Sequence, residues 1–405
     1  MKLLQINIES NFGSTGRIAE GIGILAQNKG FESHIAYSRG SNPSALNSQL
    51  IGNKAGQALH LLRTRIFGDH LNGSGKATEQ LINFIDDIEP DIIHIHQVHG
   101  YYLHVPKLFR YLKEKEKKVV WTLHDCWSFT GHCSHYTKID CQRWKEECHT
   151  CPQFKGYPTS YFIDRSKADF KLKKRLFTSM ENLHLVAISD WLKEEVSKSF
   201  LNSLPISVIK NGVDLKTFKP MKVNQKLERE KRGITTKNLV IAAGTTWNSS
   251  KGLEDYKELG AILPDDTTLL LVGIPKDLQL GFSRSTICIE RTESTEELAL
   301  LYNIADAVIS LSYQESFGLT IPEGLACGTP GIAYHNTALK EHISLKTGKL
   351  VTTGNVNEAL QAIISLLQVG KSDLSDDCAS FSREHYDREK NYQKYISLYQ
   401  QILAK

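Results

Sequence analysis

The chain has 405 residues, 40% of them hydrophobic and 23% charged, and a formal net charge of +4. That length suits two domains, each able to bury a core of its own, and the composition excludes the disordered and fibrous classes. A charge so small, with no dense basic stripe, argues against a nucleic-acid partner; no apolar run approaches the length of a membrane span.

The opening, "MKLLQINIESN", alternates like a strand and lacks the long apolar core and small-residue cleavage site of a signal peptide, so a cytoplasmic protein is expected. Strands are predicted at 3–8, 33–37, 91–96, 119–125, 183–189 and 206–209, with helical patterns between several of them, such as "RIAEGIGILAQNKG" closed by Gly30. The basic excess lies mainly in "KLFRYLKEKEKK" (107–118) and "KADFKLKKR" (167–175). Each reads as a solvated helix face, or as a surface resting peripherally on anionic lipid at the inner membrane face.

After "NGVDLKTFKP" comes a charged, poorly patterned stretch, read as a linker over 213–235. A second strand series follows at 239–244, 267–273, 285–290, 306–312 and 330–334. Strand and helix in alternation imply parallel sheets. The expected fold is α/β, with Rossmann-like domains over 1–212 and 236–385 facing a cleft where ligands bind. The last segment, 386–405, has the spacing of an amphipathic helix and is expected to pack back on a domain, the first being the candidate.

The richest stretch is "SYQESFGLTIPEGLACGTPG", 312–331. An apolar strand leads in, Gly318 permits a turn closed to other residues, and Pro322 suits the first turn of a helix that Gly328 ends. The start of that helix offers free N–H groups to a phosphate. Glu315 and Glu323 flank it, placed to accept hydrogen bonds from hydroxyls on either side of a diphosphate, as in a nucleotide sugar. Taken alone, Glu323 could equally complement the helix dipole, with Glu315 a surface residue.

Other motifs are weaker. Gly13 and Gly16 in "NFGSTGR" (11–17) lie three apart, which is not the three-glycine dinucleotide pattern and fits a tight turn as well. "GSGK" (73–76) is no P-loop, because His70 and Ala77 stand where that motif needs Gly and Ser or Thr. His124 ends a strand and should face the ligand edge. For His94, His96 and His99, acceptor contact or plain packing is expected rather than metal binding.

Five of the eight cysteines crowd into 126–152. Cys126 follows a strand and is expected to pack. Cys133, Cys141, Cys148 and Cys151 form a C-x7-C-x6-C-x2-C series that suits either a closed structural zinc site or four unligated thiols in a polar insertion. Disulfides are not expected in a reducing cytoplasm.

The whole pattern resembles glycosyltransferase family 4, retaining enzymes of the GT-B fold, through "LLQINIESNFGSTGR", "PDIIHIHQVHGYYL", "TLHD", "AISDWL", "VIKNGVDLKTFKP", "AGTTWNSSKGL" and "ESFGLTIPEGLACGTPGIAY". The resemblance implies that Glu323 binds the donor ribose and Glu315 the transferred sugar. It places Phe317, Gly318 and Leu319 against the diphosphate and sugar, and Lys251 against the diphosphate leaving group. It also implies donor-side roles for Gly244 and Thr245, a position for Gly13 and Gly16 that lets substrates approach, a phosphate contact for Arg17, and a place for His124 near the donor sugar. Thr245 departs from the family, which has an arginine after the strand-ending glycine, and the loop to Lys251 is one residue longer.

The implied donor is a UDP- or GDP-sugar, and the implied acceptor a glycan or lipid-linked saccharide of exopolysaccharide, capsule or O-antigen synthesis. No catalytic metal is expected, since no D-x-D pair stands at a suitable strand end. A nucleotide-sugar 2-epimerase of the same fold is the alternative enzyme. A zinc module binding nucleic acid is the alternative of another class.

Overall fold

The computed structural model describes residues 1–404. It divides into two compact units, the first formed by Met1–Ile209 with the segment from Tyr392 onward, the second by Lys210–Asn391.

Unit 1 is built on seven parallel strands: β1 (Lys2–Ile6), β2 (Glu32–Tyr37), β3 (Asn47–Leu50), β4 (Ile92–Ile95), β5 (Val119–Leu123), β6 (Leu183–Ala187) and β7 (Ile206–Val208). Their order is β3-β2-β1-β4-β5-β6-β7. Unit 2 has six, β8 (Asn238–Ala243), β9 (Thr267–Val272), β10 (Thr286–Ile289), β11 (Ala307–Ser310), β12 (Gly331–Tyr334) and β13 (Gly348–Val351), also all parallel and ordered β10-β9-β8-β11-β12-β13. Each sheet thus reverses direction once, between β1 and β4 and between β8 and β11. In open parallel sheets the crevice at such a reversal, at the strands' carboxyl ends, is where ligands bind.

The central strands are legible because helices cover both faces, so they read as unbroken apolar runs. Every residue of "IIHI" in β4, "VVWTL" in β5 and "TTLLLV" in β9 is buried. Two strands carry no such signal. β3, "NSQL", is an edge strand with every residue exposed, and β13, "GKLV", is four residues long and opens on a glycine.

The last helix, Arg388–Leu403, sends Tyr392, Tyr395, Ile396 and Tyr399 into the core of unit 1 beside Leu3, Ile22, Ile92, Val120 and Val186. Its hydroxyls are satisfied by strand residues. Tyr399 donates to His94 Nδ1 at 2.6 Å, His94 Nε2 donates to Thr122 Oγ1 at 2.8 Å, and Thr122 donates to Tyr395 at 3.2 Å. His94 is therefore a packed histidine, with both nitrogens engaged.

Two charged stretches behave differently from their sequence reading. Within 167–175, Lys173 is fully buried, its ammonium donating to the carbonyls of Trp127 at 2.8 Å and Thr130 at 3.1 Å, so the helix Ser166–Phe177 is not wholly a solvated face. Within 213–235, the helix Gln225–Glu230 belongs to unit 2 and buries Arg229, which donates to the carbonyls of Ile304 and Lys237 and pairs with Asp306 at 2.9 Å. No helix among the described residues is long and apolar enough to cross a membrane.

Arg229 satisfies two backbone carbonyls and one carboxylate at once. Arg229→Ala is expected to destabilise unit 2 by about 3–5 kcal/mol, because breaking a buried pair strands its partners. A shift in urea midpoint equivalent to under about 1 kcal/mol would show that the arginine does not anchor this segment.

Candidate active site

In unit 2 the chain leaves β11, crosses Leu311–Leu319 and enters the helix Thr320–Ala326. Gly318 has φ +86°, where a Cβ would be strained and would come within 3.0 Å of Leu339. Glu315 is fixed through its backbone: its N–H donates to Thr337 Oγ1 at 3.1 Å and its carbonyl accepts from Ala338 at 3.2 Å. Its carboxylate accepts from Lys251 Nζ at 2.6 Å.

Backbone packing brings Lys251 there. The lysine closes a single turn, Ser249–Lys251, whose N–H groups at Ser250 and Lys251 are capped by the Asn248 side chain. The next residue, Gly252, lies so near the Leu311 carbonyl that a Cβ would stand 2.2 Å from its oxygen. Tyr313 N–H donates to the Ser250 carbonyl at 2.9 Å. The turn is thereby seated on the exit of β11.

Glu323, in the first turn of the helix, accepts from the Tyr302 hydroxyl at 3.2 Å. Thr320 Oγ1 donates to the Ala243 carbonyl at 2.8 Å, tying the helix start to the end of β8, where half-buried Gly244 and exposed Thr245 follow. Glu315, Lys251, Phe317, Gly318, Leu319, Glu323, Gly244 and Thr245 thus collect at the carboxyl ends of β8 and β11. The helix itself has only seven residues, so its dipole is modest and Lys251 supplies the main positive charge.

The sequence reading missed His342. Its Nε2–H donates to the Phe317 carbonyl at 2.6 Å, and its Nδ1 accepts from the Tyr386 hydroxyl at 2.8 Å. Phe317 packs edge-on against both rings. Burial pushes the His342 pKa down to about 4, keeping the ring neutral in this arrangement.

In unit 1, Gly13 opens the helix Gly13–Asn28 at φ +63°, with Glu9 Oε2 only 2.5 Å from the place of a Cβ. Gly16 is buried and Arg17 exposed. His124 follows β5 and makes a relay: Gln5 Nε2 donates to the Ala19 carbonyl at 2.8 Å, His96 Nε2 donates to Gln5 Oε1 at 3.0 Å, and His124 Nε2 donates to His96 Nδ1 at 3.2 Å. The relay fixes the tautomer of His124 and leaves its Nδ1 as an acceptor. Burial lowers the His124 pKa to about 4, despite Asp125. Asp125 itself pairs with His99 Nε2 at 3.0 Å; burial pushes the carboxyl up, but His99 and the Trp127 N–H outweigh it and hold the pKa at about 2.

The cysteine segment carries its own aromatic core, with Trp127, Phe129, Tyr136 and Trp144 buried, which the polar reading of 126–152 did not foresee. Cys133, Cys141, Cys148 and Cys151 line a single cavity of about 20 Å³. Burial raises the thiols of Cys133, Cys148 and Cys151, the latter two to about 12 and about 11. Among the described residues, no group of three or more His, Cys, Asp or Glu side chains stands in an arrangement that could hold a metal ion.

A larger cavity, about 880 Å³, lies on unit 1 between the helices Lys54–Phe67 and Gly75–Ile88. The first of these helices fully buries only His60 and Thr64, while Leu59, Leu62 and Phe67 are more than half exposed. Arg63, Lys76 and Arg165 line it too, together with Asp69, which pairs with Arg63 at 2.6 Å, while Arg165 stands 3.6 Å from Asp169. Nothing in the sequence pattern singled out this feature.

Two family models match: Glycosyltransferase Family 4 over residues 23–217, and Glycosyl transferases group 1 over residues 224–385. The chain belongs to the family-4 glycosyltransferases. It is 27% identical, over 421 aligned residues spanning 99% of this chain and all of the relative, to the protein of Escherichia coli K12 named colanic acid biosynthesis glycosyl transferase WcaC. Among solved structures it is similar to sucrose-phosphate synthase from Thermosynechococcus elongatus, with a TM-score of 0.72 at 16% identity, covering 100% of this chain and 99% of that one. It is similar also to Anabaena HepE in complex with UDP-glucose, with a TM-score of 0.67 at 14% identity, covering 98% and 99%. The fold is GT-B.

His94 and His342 are fully buried and held neutral, with pKa values lowered to about 3 and about 4, chiefly by burial. An unfolded histidine takes up a proton near pH 6.5, so stability present above that pH is lost as pH falls from about 6.5 towards 4. Each group should contribute about 1.4 kcal/mol per pH unit inside that window. The melting temperature is expected to drop between pH 7 and pH 5; an unchanged value would contradict neutral burial of these rings.

Proposed function

We propose that the protein is a retaining glycosyltransferase that moves a sugar from a UDP- or GDP-sugar to a glycan or lipid-linked saccharide, in cell-surface polysaccharide synthesis on the cytoplasmic side of the membrane. The observation that carries the reading is the Lys251–Glu315 pair at the carboxyl end of β11, with Glu323 on the turn that follows. It is supported by the name of the colanic acid relative and by the nucleotide sugar bound to the Anabaena protein.

In this reading Glu323 accepts hydrogen bonds from the ribose hydroxyls and Glu315 from those of the transferred sugar. Lys251 stays beside the diphosphate. The bond from the sugar's anomeric carbon to the diphosphate oxygen breaks with its electron pair passing to the diphosphate, whose growing charge Lys251 meets. The acceptor oxygen bonds to the same face, and its proton passes to the leaving phosphate. Phe317, Gly318, Leu319, Gly244 and Thr245 shape the donor pocket through backbone. His124, neutral and with an acceptor nitrogen, takes a hydroxyl of the sugar, Gly13 and Gly16 leave room for the substrates to approach, and Arg17 reaches phosphate. No step calls on a metal.

For the acceptor, the unit 1 cavity offers exposed Leu59, Leu62 and Phe67 beside Lys76, with Arg63 paired to Asp69 and Arg165 to Asp169 on the same wall. An apolar wall with basic groups suits an anionic lipid carrier lying at a membrane surface. The test of the whole reading is incubation with a panel of nucleotide sugars and lipid-linked acceptors. A new glycosidic product with the donor's anomeric configuration is expected; inversion, or an isomerised free donor, would refute it.

Glu323→Ala should lose charge-assisted hydrogen bonds worth about 1.5–3 kcal/mol, and so raise the Kd for the nucleotide sugar by ten- to a hundredfold. Lys251→Ala should lower kcat more than it raises KM, because its contact strengthens as the diphosphate departs. Wild-type kinetics in both variants would remove the donor site from this turn. On the acceptor side, Leu62→Glu should raise the KM for a lipid-linked acceptor and leave donor affinity unchanged; equal KM values in variant and wild type would place the acceptor elsewhere.

A further inference from the structure

We infer, resting on the glycosyltransferase reading above, that the Tyr157 hydroxyl, aimed by His99 and Asp125, accepts a hydrogen bond from a hydroxyl of the acceptor saccharide, with the Tyr101 ring beside it as an apolar rest for the sugar. His99 follows β4 and Asp125 follows β5, at the carboxyl edge of the sheet, and both line one small crevice with His124. Gly100 carries the chain onward at φ +109°, so close to Ile8 that a Cβ would stand 2.2 Å from its Cδ1. The pair therefore lies beside the reversal between β1 and β4, where open parallel sheets bind ligands.

The hydrogen bonds here have a fixed direction. Asp125 Oδ1 accepts from the Trp127 N–H at 2.8 Å, and Oδ2 pairs with His99 Nε2 at 3.0 Å. A carboxylate can only accept, so the proton of the neutral imidazole sits on Nε2 and Nδ1 is left as an acceptor. Nδ1 lies 2.9 Å from the Tyr157 hydroxyl, which donates its proton inward. The lone pairs of the phenol oxygen are then left to receive, and the charge on Asp125 polarises the chain so that they receive more strongly. The side chains of His99 and Asp125 are 11% and 16% exposed, with the Trp127 ring 5.2 Å from that of His99, whereas Tyr157 is 44% exposed. The relay begins under cover and ends in the open.

Tyr101 stands beside this end, its ring 6.1 Å from that of Tyr157 and edge-on to it. It is held from the other side, where its carbonyl accepts from Ser74 Oγ at 3.1 Å and its ring meets His60 at 5.8 Å. The loop carrying Tyr157 is tied down by the Tyr161 N–H, which donates to the Arg65 carbonyl at 2.8 Å. His60 and Ser74 also line the cavity between the helices Lys54–Phe67 and Gly75–Ile88. Contacts thus run unbroken from that cavity through Tyr101, Tyr157 and His99 to Asp125, the neighbour of His124. Acceptor atoms beside an ionised carboxylate repel a phosphate and receive O–H groups, while aromatic rings take C–H faces. A neutral sugar ring offers both, and it can lie over the tyrosines with its lipid in the cavity.

The experiment follows NMR saturation transfer from the full chain to the methyl glycosides of glucose, galactose and mannose, beside acceptor KM in the transfer assay. At least one glycoside should bind, with saturation strongest on its ring C–H protons. Tyr157→Phe keeps the ring and removes the hydroxyl; it should weaken that glycoside by about two- to tenfold, the loss of one neutral hydrogen bond, and raise KM for lipid-linked acceptors by the same factor. Donor Kd and melting temperature should not change. Asp125→Asn is the sharper variant. Its carbonyl takes the Trp127 N–H, so its amide donates to His99 Nε2, the ring proton moves to Nδ1 and the bond to Tyr157 reverses. Every hydrogen bond is kept, so a merely structural relay would leave glycoside affinity unchanged, whereas a loss of about twofold or more is expected. His99→Gln, whose amide donates to Asp125 and whose carbonyl accepts from Tyr157, should keep most of the affinity. No glycoside bound by the wild type, or wild-type affinity in a folded Tyr157→Phe or Asp125→Asn, would overturn the inference. Glycoside binding that Tyr157→Phe weakens, in a protein that transfers no sugar, would instead overturn the function and leave this subsite standing. If Asp125→Asn fails to fold, Tyr157→Phe decides it.

Discussion

The position of Lys251 depends on the approach of Gly252 to the Leu311 carbonyl, a distance that no side chain at 252 would permit. That approach seats a three-residue turn on the end of β11 and brings an ammonium to 2.6 Å from Glu315. The two side chains are 31% and 20% exposed, and a pair so open to water is worth about 1 kcal/mol or less. It does little for stability, and a ligand can rearrange it cheaply. Because an ammonium has three donors, Lys251 can keep its bond to Glu315 and still turn to a diphosphate. In the proposed reading the carboxylate is then the guide that aims the cation.

Neutral histidines do comparable work elsewhere, and their partners distinguish them. His342 spends both nitrogens on the Phe317 carbonyl and the Tyr386 hydroxyl, so it holds the loop before the helix Thr320–Ala326 and has nothing left for a ligand. His94 is likewise closed by Tyr399 and Thr122. His96 passes its hydrogen bonds between Gln5 and His124. Of these four rings, His124 alone is left by the hydrogen-bond relay with an acceptor nitrogen. Strand-end position made His94, His96 and His124 alike candidates for substrate contact; the direction of the hydrogen bonds separates the ring with an acceptor nitrogen left from those that support it.

The sheets were legible where strands are covered on both faces, because burial forces continuous apolar sequence. β3 and β13 were not, since an exposed edge strand such as "NSQL" needs only backbone pairing. The glutamates, Lys251 and Gly318 stood out through turn chemistry and family resemblance. His342 did not: it lies 25 positions after the carbonyl it binds, and a single buried histidine in "KEHIS" has no local signature. The cavity between the helices Lys54–Phe67 and Gly75–Ile88 escaped for the opposite reason. It is marked by apolar residues left in the open, and an amphipathic pattern cannot say that a helix face has no neighbour.

Several of the cations counted in the formal charge are committed to backbone carbonyls of the fold. Lys371 donates to the carbonyls of Tyr302, Asn303 and Ala305 at the end of the helix Thr295–Ile304, and Arg229 takes the Ile304 carbonyl between them. Lys118 does the same for Ile402 and Leu403 at the end of the last helix, and Lys2 for Ile88. Helix ends leave carbonyls without intrahelical partners and carry partial negative charge, so a long basic side chain is an efficient cap. A lysine spent this way keeps its charge, but its donors are committed to the backbone and no longer open to a ligand. In the proposed reading, recognition of an anionic donor then rests on a cation with donors to spare beside a turn, Lys251 above all, and on the geometry that holds it there.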